Sequence, residues 1–273
     1  MSDSSISDKS GLPSKRNERI YALKFAAVIS FVCCMLLTGA SVGLKGYQLE
    51  NMELDRQKNI LEAAGIIHQE DNPSKIQIRQ IYREKIEEVY VNQDGSTVAD
   101  KTKAEESPEP ENRLPFSEDL PKSENLLPLY LYKEYADAQS GLKFVKAYII
   151  PVESRGLWGK IYGYLAFEND GVTIAGFTVY SHSETPGLGG EIEKAWFQKN
   201  FVGKKIVDSA NDFVSISIAK GQASTLPEDE RQNYVDGISG ATLTGKYLTQ
   251  GLKKNLEQYE AVSVRFRQGK QLE

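Results

Sequence analysis

YVDGISGATLTG, residues 234–245, sets Ser239, Gly240, Ala241 and Thr242 side by side, three residues after Asp236 and at the mouth of a long helical stretch. From about Ser239 to Tyr259, the residues Ala241, Leu248, Leu252, Leu256 and Tyr259 recur with helical spacing and fall on one face. Gly240 and Ala241 strip bulk from around a hydroxyl. The first N–H groups of a helix have no intrahelical partner and favour an anion, most naturally a phosphate. Asp236 adds a carboxylate that can orient a metal or an incoming group. A plainer reading is a capping turn with Ser239 as the N-cap. The residues alone leave both open.

Some fifty residues upstream lies HSETPGLGGEIE, residues 182–193. Thr185-Pro186-Gly187 fits a type II turn, with proline second and glycine third. Gly187, Gly189 and Gly190 bare the backbone, so that it can lie against a flat ligand or another chain segment. Glu191 stands at the start of the next helix, where a carboxylate suits the dipole. The glycine spacing matches neither a phosphate loop nor a dinucleotide fingerprint. By itself this stretch reads as an ordinary strand-to-helix connection.

The surroundings are β-rich. Strands are predicted in 127–133, 144–154, 160–170 and 171–184, with Asn169-Asp170-Gly171 as a hairpin turn. A helix is predicted over 191–201, and 213–221 alternates like another strand. This mixture predicts an α+β domain over 127–262, followed by a short tail, 263–273. Residues 94–126 are rich in Glu, Ser, Pro and Lys and read as a linker or loop. The membrane-proximal segment 45–93 holds two helical periods, 47–64 and 76–89, broken at Asn72-Pro73-Ser74.

Phe25 to Leu44 is an uncharged run bracketed by Lys24 and Lys45. As a helix it reaches about 30 Å, the thickness of a bilayer's hydrocarbon core. A retained single transmembrane helix is the favoured reading. The alternative is a cleaved signal peptide, with Gly39-Ala40-Ser41 as the processing site, although such apolar regions usually run to about 7–15 residues. Lys9, Lys15, Arg16, Arg19 and Lys24 outweigh Lys45, Arg56 and Lys58, which predicts a cytoplasmic tail at 1–24 and an extracytoplasmic domain. Gly39 and Gly43 would let another membrane helix approach.

Composition narrows the function. The 273-residue chain carries a net charge of −5, which argues against a nucleic-acid partner. Cys33 and Cys34 are adjacent inside the apolar run, so neither a disulfide between them nor an iron–sulfur cluster held by this chain is expected. With only His68 and His182 for imidazoles, far apart in sequence, no metal site is expected. Trp158, Trp196 and the tyrosines read as packing residues.

D-x-x-S-G-A-T at 236–242, with E-T-P-G-L-G at 184–189 before it, resembles the FMN-binding domain of membrane redox pumps. The nearer resemblance is to the C subunits of sodium-translocating NADH:quinone oxidoreductases, the second to the G subunits of Rnf electron-transport complexes. The anchor helix, LENMELDRQKNILEAAG after it, and RGLWGKIYGYLAF at 155–167 extend the resemblance over most of the chain except 94–126. It implies that a flavin transferase uses FAD to attach FMN through a phosphoester to Thr242. Asp236, Ser239, Gly240 and Ala241 would complete the attachment motif, and Glu184, Thr185, Gly187 and Leu188 would line the flavin. It also implies a bacterial inner-membrane complex in which partner subunits handle NADH, quinone and sodium, with this chain an electron carrier holding no catalytic residue of its own. A cofactor-free anchored interaction module is the alternative of a different class.

Overall fold

The strand segments carry apolar residues at odd and even positions alike, which suits a sheet covered on both faces rather than one. The computed structural model describes residues 15–68, 70–98, 126–135 and 143–270. Most of the expected 94–126 linker lies outside the described residues. By its contacts the chain divides into two units, Met1–Glu50 and Asn51–Glu273.

The second unit is built on a five-stranded antiparallel sheet in sequential order: β1 (Ile86–Val91), β2 (Leu127–Tyr135), β3 (Lys143–Arg155), β4 (Lys160–Glu168) and β5 (Ile174–Ser181). One face takes Leu129, Leu131, Tyr148, Ile150, Leu165 and Phe167. Against it packs the last helix, which we number α4 after α1 (Lys15–Ala63), α2 (Lys75–Lys85) and the short α3 (Ala195–Lys199). This α4 spans Thr242–Arg267 and buries Leu248, Leu252, Leu256 and Tyr259, the stripe its sequence predicts, and continues it to Val262 and Phe266. Tyr148 stacks between Phe167 and Phe266, with ring centroids 5.0 and 4.4 Å away, and pairs its hydroxyl with Ser263 at 2.9 Å. The opposite face takes Tyr130, Tyr132, Ile149 and Tyr164, covered by Leu54, Ile60 and Leu61 of α1 and by Ile78 and Tyr82 of α2. Helices on both sides therefore bury a sheet whose alternate residues feed two separate cores. Each fully buried large apolar side chain contributes on the order of 1.5–3 kcal/mol.

Several elements differ from the sequence reading. The second helical period stops at Lys85, because Ile86, Val89 and Val91 prefer an extended backbone; β1 forms there and pairs with β2. The sheet thus takes in residues upstream of 127, and α4 runs on past 262. Residues 191–201 form not one helix but a 3-10 turn, Gly189–Glu193, and α3, separated at Lys194, whose ψ of 142° is extended. Of the alternating stretch 213–221, only β6 (Ser217–Ile218) is a strand, paired in parallel with β7 (Tyr234–Val235). Buried Ser215, with φ of +77°, interrupts the pleat.

In the first unit, one helix among the described residues is long and apolar enough to cross a membrane. Its side chains there, including Phe25, Phe31, Leu36 and Val42, are exposed.

Candidate functional site

The parallel pair β6–β7 delivers the chain to Asp236. Asp236 is half-buried, and its Oδ1 accepts the Ala223 amide at 2.7 Å, which anchors the strand end to the 222–225 turn. Ile238 then accepts the Ala241 amide at 3.1 Å, closing a turn in which Gly240 adopts φ of +77°. That conformation cannot continue a right-handed helix backwards, so α4 begins at Thr242, with Ala241 as the N-cap. Ser239 is exposed and lies ahead of the helix, and the N-cap position, Ala241, makes no side-chain cap hydrogen bond. The capping reading of Ser239 is thereby replaced by an open helix start. Its first amides lack intrahelical partners, and Thr242 is exposed beside them.

The loop that follows β5 lies against this start. The Leu188 amide donates to the Thr185 carbonyl oxygen at 3.1 Å and Gly187 has φ of +73°, the arrangement expected of a type II turn. A side chain on Gly240 would place its Cβ 2.8 Å from Leu188 Cδ2, so the exposed tip of Leu188 would have to shift to admit one. Thr185, Gly187 and Leu188 are exposed.

Glu184 points the other way. It is 5% exposed, and its carboxylate is fully engaged. Oε1 accepts the amides of Leu157 at 2.7 Å and Trp158 at 3.1 Å, in the loop between β3 and β4. Oε2 accepts the hydroxyl of Thr244 in the first turn of α4. Its own amide donates to His182 Nδ1 at 3.1 Å, and His182 Nε2 lies 3.2 Å from Glu193 Oε2. Hydrogen bonds from Lys194 and then His182 hold the Glu193 carboxyl below its usual range. Gly189 makes room for the central bond: a Cβ there would sit 2.5 Å from Glu184 Oε2 and 2.6 Å from Thr244 Oγ1.

The structure brings Glu184, Leu188, Gly240, Ala241 and Thr242 to one end of the domain, with Thr185 and Gly187 in the adjoining turn, while the Asp236 carboxylate bonds into a neighbouring turn. Sequence reasoning passed over Thr244, whose only signal was the threonine repeat in T-L-T. It also set Trp158 aside as packing, yet Trp158 is 70% exposed and stands beside exposed Leu157. Leu188, at 44% exposure, and Leu243 add further apolar surface at this end. Among the described residues there is no cluster of three or more His, Cys, Asp or Glu side chains suited to a metal. An exposed residue bearing a hydroxyl at a helix start without a side-chain N-cap bond, beside a glycine-bearing turn and bare apolar groups, suits a phosphate joined to a flat ring.

Comparison with known proteins agrees. The family described as FMN-binding domain matches residues 156–257, which contain every element of this site. The C subunit of the Na+-translocating NADH-quinone reductase of Vibrio campbellii is 39% identical over 232 residues, covering 80% of this chain and 82% of that protein. The C subunit of the Pseudomonas aeruginosa reductase is 34% identical, covering 82% and 86%. A crystal structure of the C subunit from Parabacteroides distasonis has a TM-score of 0.60 at 28% identity, covering 81% of this chain and 96% of that one. Shewanella oneidensis NqrC, at 23% identity and a TM-score of 0.58, shares the fold. The chain belongs to the family formed by the C subunits of the Na+-translocating NADH-quinone reductases.

Proposed function

We propose that this chain is the electron-transfer subunit of a Na+-translocating NADH-quinone reductase and carries FMN covalently, through its phosphate, on Thr242. The observation that carries the reading is exposed Thr242 at an α4 start whose N-cap residue, Ala241, makes no side-chain cap hydrogen bond. In the attachment, a flavin transferase presents FAD. Thr242 Oγ1 forms a bond to the FMN phosphorus, the pyrophosphate P–O bond breaks, and adenylate leaves with the electron pair while the hydroxyl proton goes to a base. The diester retains a negative charge, which the helix start stabilises by roughly 0.3–1 kcal/mol. Gly240 and Ala241 keep the approach to Thr242 clear. Leu157, Trp158, Leu188 and Leu243 offer apolar surface to a flat ring, and Asp236 fixes the strand end from which the attachment turn departs.

When bound, FMN supplies one- and two-electron chemistry at a potential set by its surroundings. By the family resemblance NADH oxidation and quinone reduction fall to partner subunits, and the chain's lack of a dinucleotide fingerprint agrees with that division. The uncharged helix 25–44 anchors the chain in the bacterial inner membrane, with the basic tail cytoplasmic and the flavin domain periplasmic. A tether made of covalent bonds keeps there a cofactor that is not readily replaced. The test is to run denatured protein, made together with the transferase, on a gel. Flavin fluorescence is expected to travel with the wild-type chain and to vanish in Thr242→Ala. A wild-type chain without fluorescence would instead favour a cofactor-free anchored module.

A further inference from the structure

The attachment turn presents three hydroxyls within six residues, Ser239, Thr242 and Thr244, and Glu184 treats one of them differently from the rest. Thr244 is 2% exposed and donates its hydroxyl to Glu184 Oε2, whereas Ser239 and Thr242 are exposed. Successive helical residues are rotated by about 100°, so two residues differ by about 200° and point to nearly opposite sides. Holding Thr244 inward therefore turns Thr242 outward.

We propose that Glu184 is the positioning residue that selects Thr242, and withholds Thr244, as the hydroxyl to be flavinylated; this rests on the flavin reading above. Three elements meet at its carboxylate. The amides of Leu157 and Trp158 fix Oε1 to the β3–β4 loop, and the Thr244 hydroxyl fixes Oε2 to α4. His182 Nδ1 holds the backbone of Glu184 itself. The bond to Thr244 is enclosed, since even a methyl group on Gly189 would collide with both of its oxygens. Thr244 thus has its proton engaged and its oxygen out of reach of a phosphorus atom carried by an enzyme. The ester bond forms at Thr242 Oγ1, adenylate leaves FAD with the electron pair, and the proton released is that of Thr242.

The experiment uses the full-length chain produced with a flavin transferase, with peptide mass mapping to locate the flavin. Wild type is expected to carry it on Thr242 alone. Glu184→Ala is expected to reduce occupancy at Thr242 about tenfold, the scale of one lost charge-assisted hydrogen bond, and to place flavin on Thr244. Adding Thr244→Val should abolish that second product. In Thr242→Ala/Glu184→Ala, Thr244 should be the labelled residue. Glu184→Gln, which keeps the shape and one acceptor, should restore labelling towards Thr242; if the alanine variant does not accumulate, Glu184→Leu, which keeps the bulk without an acceptor, takes its place and is scored by the same criterion. Glu184→Ala, or Glu184→Leu in its place, with Thr244 still bare overturns the proposal, whether Thr242 labelling is kept or lost, because loss alone is what a merely structural role would give. Wild type without flavin on Thr242 would instead sink the flavin reading.

Discussion

Gly240 is the residue on which the site's geometry turns. Its φ of +77° ends the approach to α4 and its missing side chain admits Leu188. A larger residue is strained by this backbone and must also push aside the exposed tip of Leu188. Gly240→Val is therefore expected to destabilise the domain by about 1–3 kcal/mol through the left-handed backbone and to depress flavin attachment by shifting the 239–242 turn. Thermal melting and in-gel fluorescence measure the two effects, and a variant that melts and labels like wild type would contradict both. At this scale the sequence disclosed the tight turn ahead of α4 and the type II turn, because proline, glycine and small residues announce their backbone needs locally. It did not disclose that Glu184 faces inward to Thr244, since that pairing joins residues sixty positions apart through the packing of three elements. Ser239 misled for a related reason: it has the chemistry of a cap, but the turn at Gly240 places it outside the helix.

Among the elements, α4 both fills the core and begins at the candidate site, so its buried stripe holds in place the helix that presents Thr242. Leu252 is fully buried on the sheet face lined by Ile150 and Leu165. Leu252→Ala is expected to cost about 2–5 kcal/mol, read as a shift in the denaturation midpoint, with Thr242 still labelled in the protein that remains folded. An unchanged midpoint would contradict the packing described here. The α4 stripe was legible because five apolar residues kept one helical period. So were β2, β3 and β4, each close to its observed bounds, and the existence of β5, which is three residues shorter at each end than the predicted 171–184. The shorter elements were less so. The Ile86–Val91 strand shares its apolar residues with the preceding helical period, and only pairing with β2 decides its form. Ser217–Ile218 alternates over a longer stretch than the sheet can use, because Ser215 breaks the extended backbone.

For the whole molecule, an apolar helix precedes the domain proposed to be flavinylated by another enzyme, so under that proposal the side of the membrane it occupies is part of its function. The excess of basic residues before Phe25 predicts an extracytoplasmic C-terminus. A phosphatase reporter fused after Glu273 should be active and a cytoplasmic fluorescent reporter at the same place dark; the reverse pattern would overturn the orientation. Flavin attachment itself is tested most directly by the mass of the peptide containing residues 234–245, taken from chain produced with the flavin transferase. One added FMN phosphoester is expected, located on Thr242 by fragmentation and absent from Thr242→Ala. An unmodified wild-type peptide, or flavin that persists on the chain after Thr242→Ala alone, would contradict the assignment.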